Sequence, residues 1–160
     1  MTPDRIQVIR KMLELGLISR PVLSQVIITC RARNIEMLKV LANYAGLDSR
    51  GVHDFLEKHF GMTRIDLDDI VLNPEVVKLV PFDLAKENRI IPAFKVNDKI
   101  FLAVGDPFNF NGLKELQEYI GNDCGIFLAP EKQILSKLDR FRKTHLRRKR
   151  ADKTVFAPAI

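Results

Sequence analysis

Two runs rich in branched and aromatic residues, Ile90 to Val96 and Lys99 to Val104, face each other across Asn97-Asp98, and this pattern commits the chain to a β-hairpin. The side chains of Asn97 and Asp98 tolerate the positive φ of a tight reversal. Gly105-Asp106-Pro107 then ends the second strand. Leu113, Leu116, Gln117 and Ile120 recur at helical spacing up to Gly121, and Gly125 to Leu128 forms a third short apolar run bounded by Pro130. Ile134, Leu135, Leu138 and Phe141 line a further amphipathic helix, and Phe82 to Asn88 reads as a helical segment in front. The order is α, β, β, α, β, α. One detail strains it: a two-residue turn pairs Phe94 with Phe101 and Pro92 with Ala103, and alternation asks the Pro92 nitrogen for a hydrogen bond it lacks. Either the turn is longer or the ladder stops near Ala93, and an early stop, with Ile90 to Pro92 irregular or at an edge, is favoured.

Upstream, a pattern repeats thirty positions apart: Gly16-Leu17-Ile18-Ser19 and Gly46-Leu47-Asp48-Ser49 each sit between two helical periodicities. Thr2 caps the first helix with Pro3 in its first turn, and Ile6, Ile9, Met12 and Leu13 follow. Ser19 caps the second with Pro21, Leu23, Val26, Ile27 and Cys30. After Arg31 to Asn34, the residues Ile35, Leu38, Leu41 and Ala42 lead to Gly46. Asp48 or Ser49 then caps a helix with Val52, Phe55, Leu56 and Phe60 that ends at Gly61. Two such hairpins predict a four-helix subdomain, since a solenoid needs about three repeats or more. Met62 to Leu72 reads as a connector docking through Ile65, Leu67, Ile70 and Val71. Asn73 and Pro74 start a helix with Val76, Val77 and Leu79 inward, until Pro81 breaks it. The predicted fold class is α+β: a helical subdomain over 1–61, a connector over 62–72, a small α/β subdomain with a three-stranded sheet over 73–141, and a flexible basic tail over 142–160.

Val80-Pro81-Phe82, Leu84-Ala85, Ile91-Pro92 and Leu102-Ala103-Val104-Gly105-Asp106-Pro107 occur in the order and spacing of a known family. Over about residues 6 to 141 the chain resembles the N-terminal domain of bacterial type II secretion and type IV pilus assembly ATPases of the GspE and PilB type. The resemblance implies a protein-interaction or adaptor role. Such domains dock the motor ATPase onto the cytoplasmic part of an inner-membrane assembly protein and transmit motion between them, which places the chain in the cytoplasm, peripheral at the inner membrane. The ATPase core of the family would follow this domain, with a Gly-rich phosphate loop ending in Lys-Ser or Lys-Thr. Here Gly105, Gly112, Gly121 and Gly125 stand singly, so the sequence predicts no enzyme, no cofactor and no small-molecule substrate. His53, His59 and His145 lack metal spacing and read as surface residues, and Cys30 and Cys124 as reduced packing residues.

Family members of the MshEN type bind cyclic di-GMP through two tandem motifs that begin Arg-Leu-Gly, reach Gly-Leu-Ile and end in Gln. Aligned on Gly16, this chain has Gln7 at the arginine, Ile9 at the first glycine and Cys30 at the glutamine. Aligned on Gly46, it has Met37 at the arginine, Lys39 at the glycine and, after a one-residue deletion, His59 at the glutamine. The apolar frame is kept and the polar ends are not. An arginine supplies a planar donor fork and a glycine lets backbone approach a ligand; glutamine and isoleucine do neither. A cyclic di-GMP-responsive domain is therefore the alternative reading, with its motif degenerate.

The formal charge of +6 suggests a polyanion partner until its location is considered. Arg140, Arg142, Lys143, Arg147, Arg148, Lys149 and Arg150 carry seven positive charges with no acid among 140–150, and the rest of the chain is close to neutral. Basicity belongs to the tail. Such a cluster attracts anionic lipid headgroups or nucleic acid, although no aromatic interleaving supports base stacking.

Overall fold

The computed structural model of the chain describes residues 3–33, 35–121 and 124–155. The first four helices are α1 (Arg5–Glu14), α2 (Arg20–Arg33), α3 (Met37–Tyr44) and α4 (Ser49–Phe60). Each pair turns through the same backbone device. Gly16 and Gly46 take φ of 70° and 72°, Leu17 N–H donates to Met12 O at 2.9 Å, and Leu47 N–H donates to Ala42 O at 2.9 Å. Only glycine enters that left-handed region without a steric cost, so the two Gly-Leu pairs fix both reversals. The start of α1 differs from expectation. Asp4 is the cap, its Oδ1 accepting from Gln7 N–H while its own N–H donates to Gln7 Oε1. This reciprocal box satisfies two groups at once and leaves Pro3 ahead of the helix. Thr2 lies outside the described residues. Asp48, rather than Ser49, caps α4 by accepting from Gly51 N–H at 2.8 Å.

The remaining elements are α5 (Pro74–Val77), α6 (Phe82–Asn88), β1 (Ile90–Val96), β2 (Lys99–Val104), α7 (Phe110–Ile120), β3 (Cys124–Leu128) and α8 (Glu131–Val155). The sheet has the order β1-β2-β3, β1 antiparallel to β2 and β3 parallel to it through the α7 crossover. Pro92 is accommodated by a register shift instead of an early stop: Phe94 pairs with Phe101, Ala93 is extra, and Pro92 pairs with Leu102. Gly105 N–H donates to Arg89 O at 2.9 Å. Counting in from that bonded pair, alternation puts Pro92 opposite Leu102 at an unbonded site, so its missing N–H is never asked for. The extra residue is itself used, because Ala93 O accepts from Asn73 N–H at 3.0 Å. At the hairpin tip only Asn97 has positive φ, at 48°.

Two cores divide the molecule. One is built from the sheet, α5 to α8 and the connector, and includes Leu67, Val77, Ile91, Leu102, Leu116 and Ile134. The other lies among α1 to α4 and takes Phe108 and Leu128 from the α/β side. The connector also pairs with β3, Leu128 N–H donating to Thr63 O and Ile65 N–H to Leu128 O, both at 2.8 Å. Val71 and Leu79, expected inward, are 91% and 44% exposed. The short α5 ends at Val77, so its periodicity does not reach Leu79. The last helix runs past Phe141 through the basic stretch to Val155, where the sequence suggested a flexible tail. Lys and Arg have good helix propensity, and fourteen further residues extend a helix already nucleated on the core. Among the described residues no helix is long and apolar enough to cross a membrane.

Candidate functional site

The loop after β2 is where the two lobes meet, and its residues reach in both directions. Gly105 is buried, with Glu131 and Ile134 of α8 packed where a Cβ would stand. Its carbonyl accepts from His53 Nε2 of α4 at 2.8 Å. Because a carbonyl can only accept, Nε2 carries the proton in this contact. Asp106 pairs with Lys39 of α3 at 2.7 Å, and Phe108, 2% exposed, enters the helical core. Three consecutive kinds of contact, a hydrogen bond, an ion pair and an aromatic plug, thus clasp α3 and α4 to the end of β2. Asn109 then caps α7, accepting from Gly112 N–H and donating to Asn88 Oδ1 at 2.9 Å. Asn88 occupies the space a Cβ on Gly112 would need.

His53 was expected at the surface and is 5% exposed. The signal was present: it stands beside Val52 and one helical turn before Leu56, on the buried stripe of α4. Asp106 had no sequence signal, since its partner lies on another lobe.

The residues at the degenerate motif positions all have structural employment or a buried setting. Gln7 serves the α1 capping box. Ile9 and Met37 are half-buried against the helical core and Cys30 is inside it. Lys39 is taken up by Asp106, and His59 lies half-buried with its ring 5.1 Å from that of Phe55. Cys30 and Met37 do come together, in a cleft of about 380 Å³ with Arg5, Arg31, Glu36 and, from α7, Asn111. Arg5 is there held by Glu36 at 3.1 Å. Lys39 lines a second cleft of about 380 Å³ beside the Gly46-Leu47 turn, together with Asp48, Asp106 and Glu131. Three carboxylates against one ammonium make that cleft unfavourable for a phosphodiester.

The described basic residues of α8 meet different neighbours. Arg142 is tied to Asp83 of α6 at 2.8 Å, and Lys86 reaches Asp139 at 3.4 Å, both bridging α6 and α8 at the surface. Arg140 and Arg148 line a groove of about 240 Å³ with Lys78, Phe82, Phe141 and His145. Lys143, Arg147, Lys149 and Arg150 are exposed along the remainder of α8.

The family model described as the MshEN domain matches residues 60–148, more than half of the chain. A stretch of 101 residues is 26% identical to the type IV pilus assembly ATPase PilB of Myxococcus xanthus strain DK1622, covering 63% of this chain and 18% of that protein. Among solved structures, MshE with cdg is similar at a TM-score of 0.58 and 22% identity, over 81% of this chain and 94% of that one. The N-terminal domain of XpsE is similar at a TM-score of 0.59 and 14% identity, over 88% of this chain and 98% of that one.

Proposed function

The chain belongs to the MshEN domain family, and from that premise we propose that it is a noncatalytic docking module of a type II secretion or type IV pilus assembly system, acting in the cytoplasm on the cytoplasmic part of an inner-membrane assembly protein. The clasp between the lobes carries this reading. A module that passes a push from a motor to a membrane component must not shear internally. The His53 to Gly105 bond, the Lys39 to Asp106 pair and the Phe108 plug couple α3 and α4 to the sheet at one point. The 160 residues contain no Gly-rich phosphate loop.

Retention of the chain on an immobilised cytoplasmic part of the inner-membrane protein encoded beside it tests the proposal. Saturable retention is the expected result; no retention by the cytoplasmic part of any inner-membrane component of its own system would overturn it.

The likeness to MshE with cdg supplies the competing reading, a cyclic di-GMP sensor. Against it stand the intramolecular duties of Gln7 and Lys39 and the acidic lining of the second-repeat cleft. Calorimetry with micromolar protein is expected to give no saturable heat with cyclic di-GMP, and a saturable isotherm would favour the sensor.

A further inference from the structure

We infer that the groove between α5, α6 and α8 receives an acidic segment of the docking partner, one that carries an apolar side chain between two carboxylates. The inference rests on the docking reading and gives it a surface. Pro74, Phe82 and Phe141 make the groove apolar, and Lys78, Arg140 and Arg148 make its rim cationic. Lys78 has Glu75 at 3.0 Å; Arg140 and Arg148 have no ion-pair partner among the described residues, and both side chains are exposed. The walls share one apolar base, since Ala85 of α6 and Leu138 of α8 are buried in the same core and Phe82 and Phe141 pack against it; the Arg142 to Asp83 and Lys86 to Asp139 pairs bridge the two helices at the surface.

Its spacing is specific. Arg140, Thr144 and Arg148 succeed one another at intervals of four along α8, which sets the two guanidinium stems roughly 12 Å apart. Acidic residues about four apart in an extended segment, or about two turns apart in a helix, span that distance. Charge complementarity selects an acidic occupant, because lining cations outnumber the one carboxylate, Glu75. The recess argues for a polypeptide with an apolar anchor over a flat lipid surface. Stacked nucleic-acid bases are disfavoured because the Phe82 ring lies against His145, at 6.2 Å between centroids, and Phe141 packs on the core.

The probe is a short fluorescent peptide with glutamates four residues apart flanking a leucine, titrated against the full chain by anisotropy. Saturable binding is expected, weakened at least about tenfold in the R140E/R148E double variant and by replacing the leucine with glycine. Both arginines are exposed, so an unchanged melting curve separates lost binding from lost fold. Equal binding by the double variant, or equal binding of the leucine-free peptide, overturns the inference. Tighter binding of phosphatidylglycerol vesicles or of duplex DNA than of the peptide overturns it as well. In the retention assay, a double variant held as firmly as the wild type removes this groove while leaving the docking reading intact. Failure of the wild type to be retained removes the docking reading, and the peptide titration then judges the groove by itself.

Discussion

The helical lobe and the α/β lobe differ in what completes their cores. Among the described residues, the α/β core draws none from α1 to α4; its buried members begin at the connector with Leu67 and end on α8 with Leu138. The helical core borrows Met62, Phe108 and Leu128, each less than 9% exposed. The dependence therefore runs one way. The helical core is completed by residues from outside its four helices, whereas the buried members of the α/β core all lie between Leu67 and Leu138.

The strongest way to break this comparison is Phe108→Ala. Removing a fully buried aromatic costs about 3–5 kcal/mol, and chemical denaturation with hydrogen exchange should show protection lost over α1 to α4 well before β1 to β3. Equal loss in both lobes would mean the cores are not separable. A middling effect is expected for His53→Phe, which keeps a ring in place but leaves the Gly105 carbonyl without its donor, at about 1–3 kcal/mol. The same exchange experiment should show α4 loosened and α8 unchanged. The smallest is Lys39→Ala. Its ammonium is half exposed, so the loss is roughly 0.2–1 kcal/mol and shrinks further in high salt. A salt-independent loss of several kcal/mol would show instead that the ion pair is a principal part of the clasp.

What could be read from the sequence follows from how local its cause is. The two Gly-Leu reversals were legible because a positive φ at glycine and one backbone bond determine them. The hairpin and the α6 segment were legible for the same reason, and the three strands and the mixed α+β class with them. The Ala93 bulge was not, since it depends on Asn73, twenty positions earlier in the chain, offering its N–H to the extra carbonyl. The conflict at Pro92 did mark the place. Val71 and Leu79 misled because apolar residues in short irregular segments obey no periodicity. At the site, the departures at Gln7, Ile9, Met37 and Lys39 were visible, but the new partners of Gln7 and Lys39 were not. A capping box is written within four residues, and in retrospect Asp4-Arg5-Ile6-Gln7 carries it. The Lys39 to Asp106 pair spans two lobes and has no local signature.

The displaced register at Ala93 also bears on self-association. A three-stranded sheet has two rims on which identical chains could polymerise strand by strand. On one rim Asn73 already engages the bulged carbonyl, and a bulge twists the rim away from a flat template; on the other, Thr63 and Ile65 engage Leu128. Ribbon-like growth is thereby discouraged at the bulge on one rim and at Leu128 on the other.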